Sequence, residues 1–307
     1  MKKTRRNLKR KKFKNNRIKI LIKLILCIAV VSIGIGVIIN QKEKASSYAT
    51  INQEATPKET SEETNKESSE TEKNRFDGIK LINDNRGVPV ICYHSIGKDP
   101  TGKSPLIISK EKFREHLQTI KDDGYTTLTM AELNDYLFKD RPIPEKSVVL
   151  TFDDGYIDNY TNAFSILKEF NMKATIFVIS TYLDGVSYMT PNQVKEMSDY
   201  GIDIESHTVT HRQLSTLSYE EQLKELKNSK ATIENITGKP IISVAYPEGK
   251  FNEDTKKAVL EAGYSMGFTI DRGYADRSDN AAQLNRICVD YTYKPRDIEK
   301  ILKSLPK

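Results

Sequence analysis

Tryptophan is absent from the 307 residues, cysteine occurs three times and histidine four times. Three cysteines cannot build a disulfide framework. Cys27 lies in an apolar run, while Cys92 and Cys288 fall in two expected strands. These last two are either buried free thiols or a bridge between the first and last strands. Acidic residues are missing from the first 23 positions, which carry 12 Lys or Arg. The overall charge of +6 is therefore a local matter: setting those 12 aside leaves 36 basic against 42 acidic residues, a balance of −6. No basic stripe interleaved with aromatics occurs, so no nucleic-acid partner is expected.

Leu24 to Ile39 is uncharged and mostly apolar, and Ile18 to Ile22 extend it upstream. That length spans a bilayer if the flanking lysines snorkel. A basic cytoplasmic segment is expected at 1–17 and a transmembrane signal anchor at 18–40, with the rest of the chain extracellular. Cleavage of the signal and secretion is the alternative. Residues 41 to about 78 are rich in Glu, Thr, Ser and Lys and too poor in apolar residues to offset their ordering entropy. A disordered tether is expected over 41–85 and a folded domain over 86–307.

From residue 88 short apolar runs alternate with amphipathic ones. Strands are expected at 88–93, 125–128, 147–152, 174–179, 203–206, 241–245, 265–269 and 286–289. Helices are expected near 109–123, 158–170, 191–201, 218–238, 252–262 and 296–305, and another follows a Thr129/Glu132 capping box. His116 reads as a surface residue of a polar helix. About seven strand–helix units in about 220 residues imply an α/β fold with a parallel sheet closed into a distorted barrel. His94, Asp153, Asp154, His207, His211 and Tyr246 all follow expected strands, where chemistry collects in such barrels.

The richest segment is Thr151-Phe152-Asp153-Asp154-Gly155-Tyr156, with His207-Thr208-Val209-Thr210-His211 about fifty residues on. Divalent zinc takes two imidazoles and a carboxylate and keeps a position open for water. A second carboxylate beside the ligand can deprotonate that water. Gly155 permits a turn that brings both carboxylates to one site. Either pair alone is more often a strand-ending turn or two surface histidines; the two together, in this order, are not. The Glu that a zincin helix places after its first His is missing, which argues against a metalloprotease.

These two motifs resemble those of the polysaccharide deacetylases, the NodB-homology or carbohydrate esterase 4 family, over roughly residues 86–304. The resemblance implies a deformed (β/α) barrel, with Asp153 as catalytic base and Asp154, His207 and His211 as metal ligands. Ala245-Tyr246-Pro247-Glu248-Gly249 is similar to a variant of the family's third motif, which implies a backbone N–H at Tyr246 facing the oxyanion. Ala245 stands near the place of that motif's usual Arg. Arg286 is the substitute candidate beside Asp153, the alternative being a strand Arg paired with a surface acid. The family's fourth motif has no match in a chain without Trp, and no His follows His211 to act as the usual general acid. First and last strands of a closed barrel are neighbours, so His94, in Tyr93-His94-Ser95, is the candidate acid; the alternative is a strand-end His bonding a loop.

The resemblance implies N-deacetylation of an extracellular amino-sugar polysaccharide. Peptidoglycan is the first choice, with poly-N-acetylglucosamine or chitin-like chains second. O-deacetylation and non-catalytic wall binding are the rivals. Zinc is the expected metal, with cobalt, nickel or manganese able to serve, and a monomer is expected.

Overall fold

The computed structural model describes residues 75–102 and 104–304. The expected cytoplasmic segment, the membrane anchor and most of the tether lie outside the described residues.

Seven parallel strands close a ring. They are β2 (Val90–Tyr93), β7 (Ser147–Phe152), β8 (Thr175–Val178), β9 (Asp203–Ser206), β10 (Ser243–Ala245), β11 (Met266–Arg272) and β12 (Leu284–Cys288). They follow one another as β2-β7-β8-β9-β10-β11-β12, and β12 pairs back onto β2 through Ile287↔Ile91 and Cys288↔Cys92. Only Val244↔Ser206 joins β9 to β10, and the β11–β12 register shifts between Phe268 and Arg272. These two irregularities deform the barrel. The short β5 (Thr126–Thr127) pairs with the start of β7. Another short pair, β3 (Ser95–Ile96) and β4 (Ile107–Ile108), lies beyond the end of β2.

Strands covered on both faces need apolar residues on both faces, and β7 reads Ser-Val-Val-Leu-Thr-Phe with every residue buried. Alternate residues part into two clusters. Ile91, Leu150, Ile176 and Val244 face outward under the helices. Val90, Val149, Phe177, Phe268 and Leu284 belong to the inner cluster. The helices are α1 (Lys110–Asp122), α2 (Met130–Phe138), α3 (Phe164–Phe170), α4 (Pro191–Tyr200), α5 (Tyr219–Thr237), α6 (Glu253–Glu261) and α7 (Pro295–Lys303). Side chains of α2 join the inner cluster, while the other six helices contribute to the outer one. The capping box expected at Thr129/Glu132 forms, and boxes also open α4 and α5.

Two expectations need correction. The folded part begins by residue 75, not 86. β1 (Leu81–Ile82) pairs antiparallel with β6 (Ile143–Pro144), Phe76 and Ile82 pack on the inner cluster, and Arg75 meets Glu132 at 2.9 Å. A polar average over the stretch masks these few apolar residues. His116 is buried, not superficial, because positions 113, 116, 117 and 120 form the inner stripe of α1. Its Nδ1 lies 3.3 Å from the Tyr93 hydroxyl and its Nε2 3.2 Å from the Tyr293 carbonyl.

Candidate active site

The inner face of the barrel changes character along each strand. Above the apolar cluster come Cys92, Asp153, Arg286 and His207, all buried. Arg286 carries no exposed surface, and its guanidinium forks onto Asp153 with both N–O distances at 2.7 Å. Nε donates to the Thr269 carbonyl at 2.9 Å, and the group rests over the Phe177 ring, 5.5 Å from its centroid. Burial by itself would raise the Asp153 pKa. The guanidinium, with His207 and His94 nearby, outweighs it and holds the carboxyl at about 2. A planar two-pronged contact of this kind needs Arg rather than Lys.

Asp154, the next residue, faces a different setting. Its Oδ1 lies 3.4 Å from His207 Nε2 and 3.3 Å from His211 Nε2. Metal–donor bonds of 2.0–2.1 Å in a tetrahedron put donors about 3.3–3.4 Å apart, as these two distances are, and all three donors lie within 4.8 Å of one another. His207 Nδ1 donates to the Ala245 carbonyl at 2.8 Å, which leaves the Nε2 lone pair aimed at the centre. The β10 turn contributes through that carbonyl, which no motif announced. His211 is held through its N–H to Thr208 Oγ1, and the loop between the histidines hangs from Glu225, which accepts from the Val209 and Thr210 N–H groups.

The backbone bends hard here. Among the described residues six non-glycines have positive φ, and three of them are Asp154 (73°), Thr208 (68°) and His211 (58°). Thr208 is β-branched, which makes this conformation costly. Gly155 has φ 75°, and a Cβ there would stand 2.9 Å from a Val178 methyl, so only glycine fits.

His94 is half-buried at the end of β2. A ring nitrogen, the Cys92 thiol and an Asp153 oxygen lie within 4.8 Å of one another. That trio is a poor second metal site, since both Asp153 oxygens already face the guanidinium. The His94 Nδ1 is shut off from solvent and has no hydrogen-bond partner. Burial lowers its pKa, and the Asp153 and Asp154 carboxylates pull the other way. The segment around it is anchored to the turn after β7. Asn159 donates to the His94 carbonyl at 2.7 Å, Asn162 to the Ile96 carbonyl at 2.7 Å, and Asp158 accepts from the Ser95 hydroxyl and the Ile96 N–H. These three residues belong to a π-helical turn at 159–163 and its N-cap, a form common at functional sites. Sequence reading passed over them.

Tyr246 does not fill the role the resemblance implied. Its backbone N–H donates to the Phe268 carbonyl at 2.9 Å as part of the barrel ladder. Strand alternation turns its ring outward against Phe251, and its hydroxyl donates to the Ala282 carbonyl at 2.7 Å. Cys92 and Cys288 are free thiols on register-paired positions. A hollow of about 600 Å³ between Arg272 and Lys300 is lined by none of the seven expected site residues.

Three donors that could hold a metal, beside an ionised carboxylate at the C-terminal mouth of a parallel barrel, form the arrangement that metal-assisted hydrolysis requires. The comparisons agree. The polysaccharide deacetylase family model matches residues 140–267. Over 202 residues the chain is 40% identical to YxkH of Bacillus subtilis, named as a polysaccharide deacetylase, covering 66% of this chain and 71% of that one. It is 28% identical to the poly-beta-1,6-N-acetyl-D-glucosamine N-deacetylase of Staphylococcus epidermidis over 56% of this chain and 65% of that one. The Streptococcus pyogenes deacetylase PplD, solved with acetate, superposes with a TM-score of 0.69 at 32% identity, over 72% of this chain and all of that one. The chain belongs to the polysaccharide deacetylase family.

Proposed function

We propose that the protein removes N-acetyl groups from an amino-sugar polymer outside the cell, releasing acetate. One observation carries this reading: the Asp154–His207–His211 cradle stands next to an Asp153 that Arg286 keeps ionised. Asp154, His207 and His211 would hold a divalent metal, zinc by their chemistry, which would supply Lewis acidity, so a base as weak as Asp153 suffices. Asp153 orients the attacking water and accepts its proton. Arg286 fixes both carboxylate oxygens and keeps water from loosening them. His94, whose ring lies near Asp153, gives a proton to the departing nitrogen. With Tyr246 committed to the ladder, no chain N–H is assigned to the oxyanion.

Of the relatives described above, the one whose name specifies a glycan specifies poly-β-1,6-N-acetylglucosamine. That moves the first choice from peptidoglycan to this polymer. The same reading keeps the domain on the outer side of the membrane, held by an anchor at 18–40 and a tether ending near residue 74. The test is acetate release by the metal-loaded full-length protein from β-1,6-linked N-acetylglucosamine oligomers and from peptidoglycan before and after its de-O-acetylation. Release that falls at least about a hundredfold in Asp153→Asn supports the reading, and the preferred glycan names the substrate. Release only from O-acetylated material would replace it with esterase activity, and no release from any of them with glycan binding.

A further inference from the structure

Next to the metal cradle stands a group of aromatic rings that the chemistry above does not use. Tyr156 follows Gly155 in the turn after β7. Tyr182 and Tyr188 lie in the loop after β8. The Tyr156 and Tyr188 rings stack at 5.2 Å with an interplanar angle of 15°, and Tyr182 meets Tyr188 edge-on at 5.0 Å and 62°. Tyr156 stands two residues after Asp154 in the same turn, so the group begins beside the metal cradle.

The tyrosines are not needed to hold the loop. Tyr156 and Tyr188 form an antiparallel bridge, the Ile157 N–H donates to the Ser187 carbonyl at 2.9 Å, and the Met189 N–H donates to that of Gly155 at 3.0 Å. The Asp184 carboxylate accepts from the Val186 and Ser187 N–H groups at 2.8 and 3.2 Å. At the other end the Thr181 N–H and hydroxyl both donate to the Val209 carbonyl, inside the loop that carries the two histidine ligands. The backbone, helped by the Asp184 and Thr181 side chains, thus fixes this loop to both halves of the metal site. None of the three rings enters either hydrophobic cluster. Tyr156 and Tyr188 stay partly open to solvent, and Tyr182 is 37% exposed. Apolar area left in water on a rigid rim beside a reaction centre is a binding surface in want of a flat, partly apolar ligand.

We propose that Tyr156, Tyr188 and Tyr182 form a shelf that stacks against the pyranose rings flanking the sugar being deacetylated, so that the enzyme acts on chains rather than single sugars. The inference rests on the proposed glycan substrate and assigns it a subsite. A pyranose offers a face of C–H groups that an aromatic ring covers well, and a tyrosine hydroxyl at the rim keeps its own contact with water. The preformed loop carries little ordering cost on binding.

The experiment is calorimetric binding of N-acetylglucosamine oligomers, from two to six units in β-1,6- and β-1,4-linked series, to full-length protein stripped of metal by chelator. The unmodified protein should gain at least about tenfold in affinity from dimer to pentamer in one of the series. The Tyr182→Ala/Tyr188→Ala double variant should bind the pentamer no better than the dimer, and Tyr182→Phe/Tyr188→Phe should restore the gain, because the ring and not the hydroxyl does the stacking. Length-independent binding by the unmodified protein overturns the shelf. So does an alanine variant that keeps the gain, or a phenylalanine variant that loses it. Thermal melting checks that the variants fold. The acetate assay stands apart: length-dependent binding without acetate release refutes deacetylation and leaves the shelf standing.

Discussion

The floor of the barrel and its mouth are built along the same strands, two to four residues apart. On β12, Leu284 packs into the apolar floor and Arg286 is the charge at the mouth. On β7, Val149 lies in the floor, and Asp153, the residue after the strand, lies at the mouth. Phe177 is the boundary, a floor residue with the guanidinium over its ring. The floor is held by area removed from water, and any well-shaped apolar residue serves. The mouth is held by pairing, in which each charge is tolerable only with its partner in place. Floor residues therefore answer singly to mutation, and mouth residues answer in pairs.

The largest effect expected is on metal removal, which touches the mouth alone: chelation should bring acetate release to background, and added zinc should restore it. Next comes Asp153→Asn, expected to lose activity by about a hundred- to ten-thousandfold and stability by about 3–5 kcal/mol, because Arg286 is left alone in the barrel. Adding Arg286→Met should recover most of the stability, read by denaturant unfolding, and none of the activity. If the single variant is as stable as the parent, the mouth is not held by pairing and the contrast fails. Phe177→Ala in the floor should cost about 3–5 kcal/mol as a cavity, with no partner change able to rescue it. The smallest effect concerns His116, whose burial pushes its pKa down to about 4. It is neutral in the fold and ready to protonate when unfolded, so its contribution is whole above about pH 6.5 and is lost as pH falls toward 4, by up to about 3 kcal/mol. Unfolding of His116→Gln across that range should show a flatter pH slope than the parent.

The floor was legible in the sequence because β-branched and aromatic runs repeat with turn residues between them. The Asp pair and the His pair were legible because their spacing is rare. The Arg286 partnership had one indirect signal, a family arginine missing from its usual place near Ala245. The Ala245 carbonyl was invisible, since a backbone acceptor leaves no mark on residue type. Asp158, Asn159 and Asn162 could have been suspected as a polar run opening an expected helix, where such residues usually cap. Here they hold the His94 segment, a contact between distant parts of the chain that spacing does not reveal. Tyr246 was misread because a motif's letters do not show whether a backbone N–H is already taken by the strand ladder. His116 was misread because a buried neutral His sits in an apolar stripe as easily as a small aromatic does.

The left-handed residues at Asp154, Thr208 and His211 bear on how such a chain can evolve. Each such residue costs on the order of 1–3 kcal/mol, and a domain's whole stability is about 5–15 kcal/mol. Selection for thermal tolerance alone would press hardest on these positions, where glycine relieves the backbone at once. The same change at Asp154 or His211 deletes one of the three donors, and at Thr208 it removes the hydroxyl that accepts from the His211 N–H. Heat-adapted lines grown without need of the enzyme should therefore gather their mutations at this rim, trading turnover for persistence.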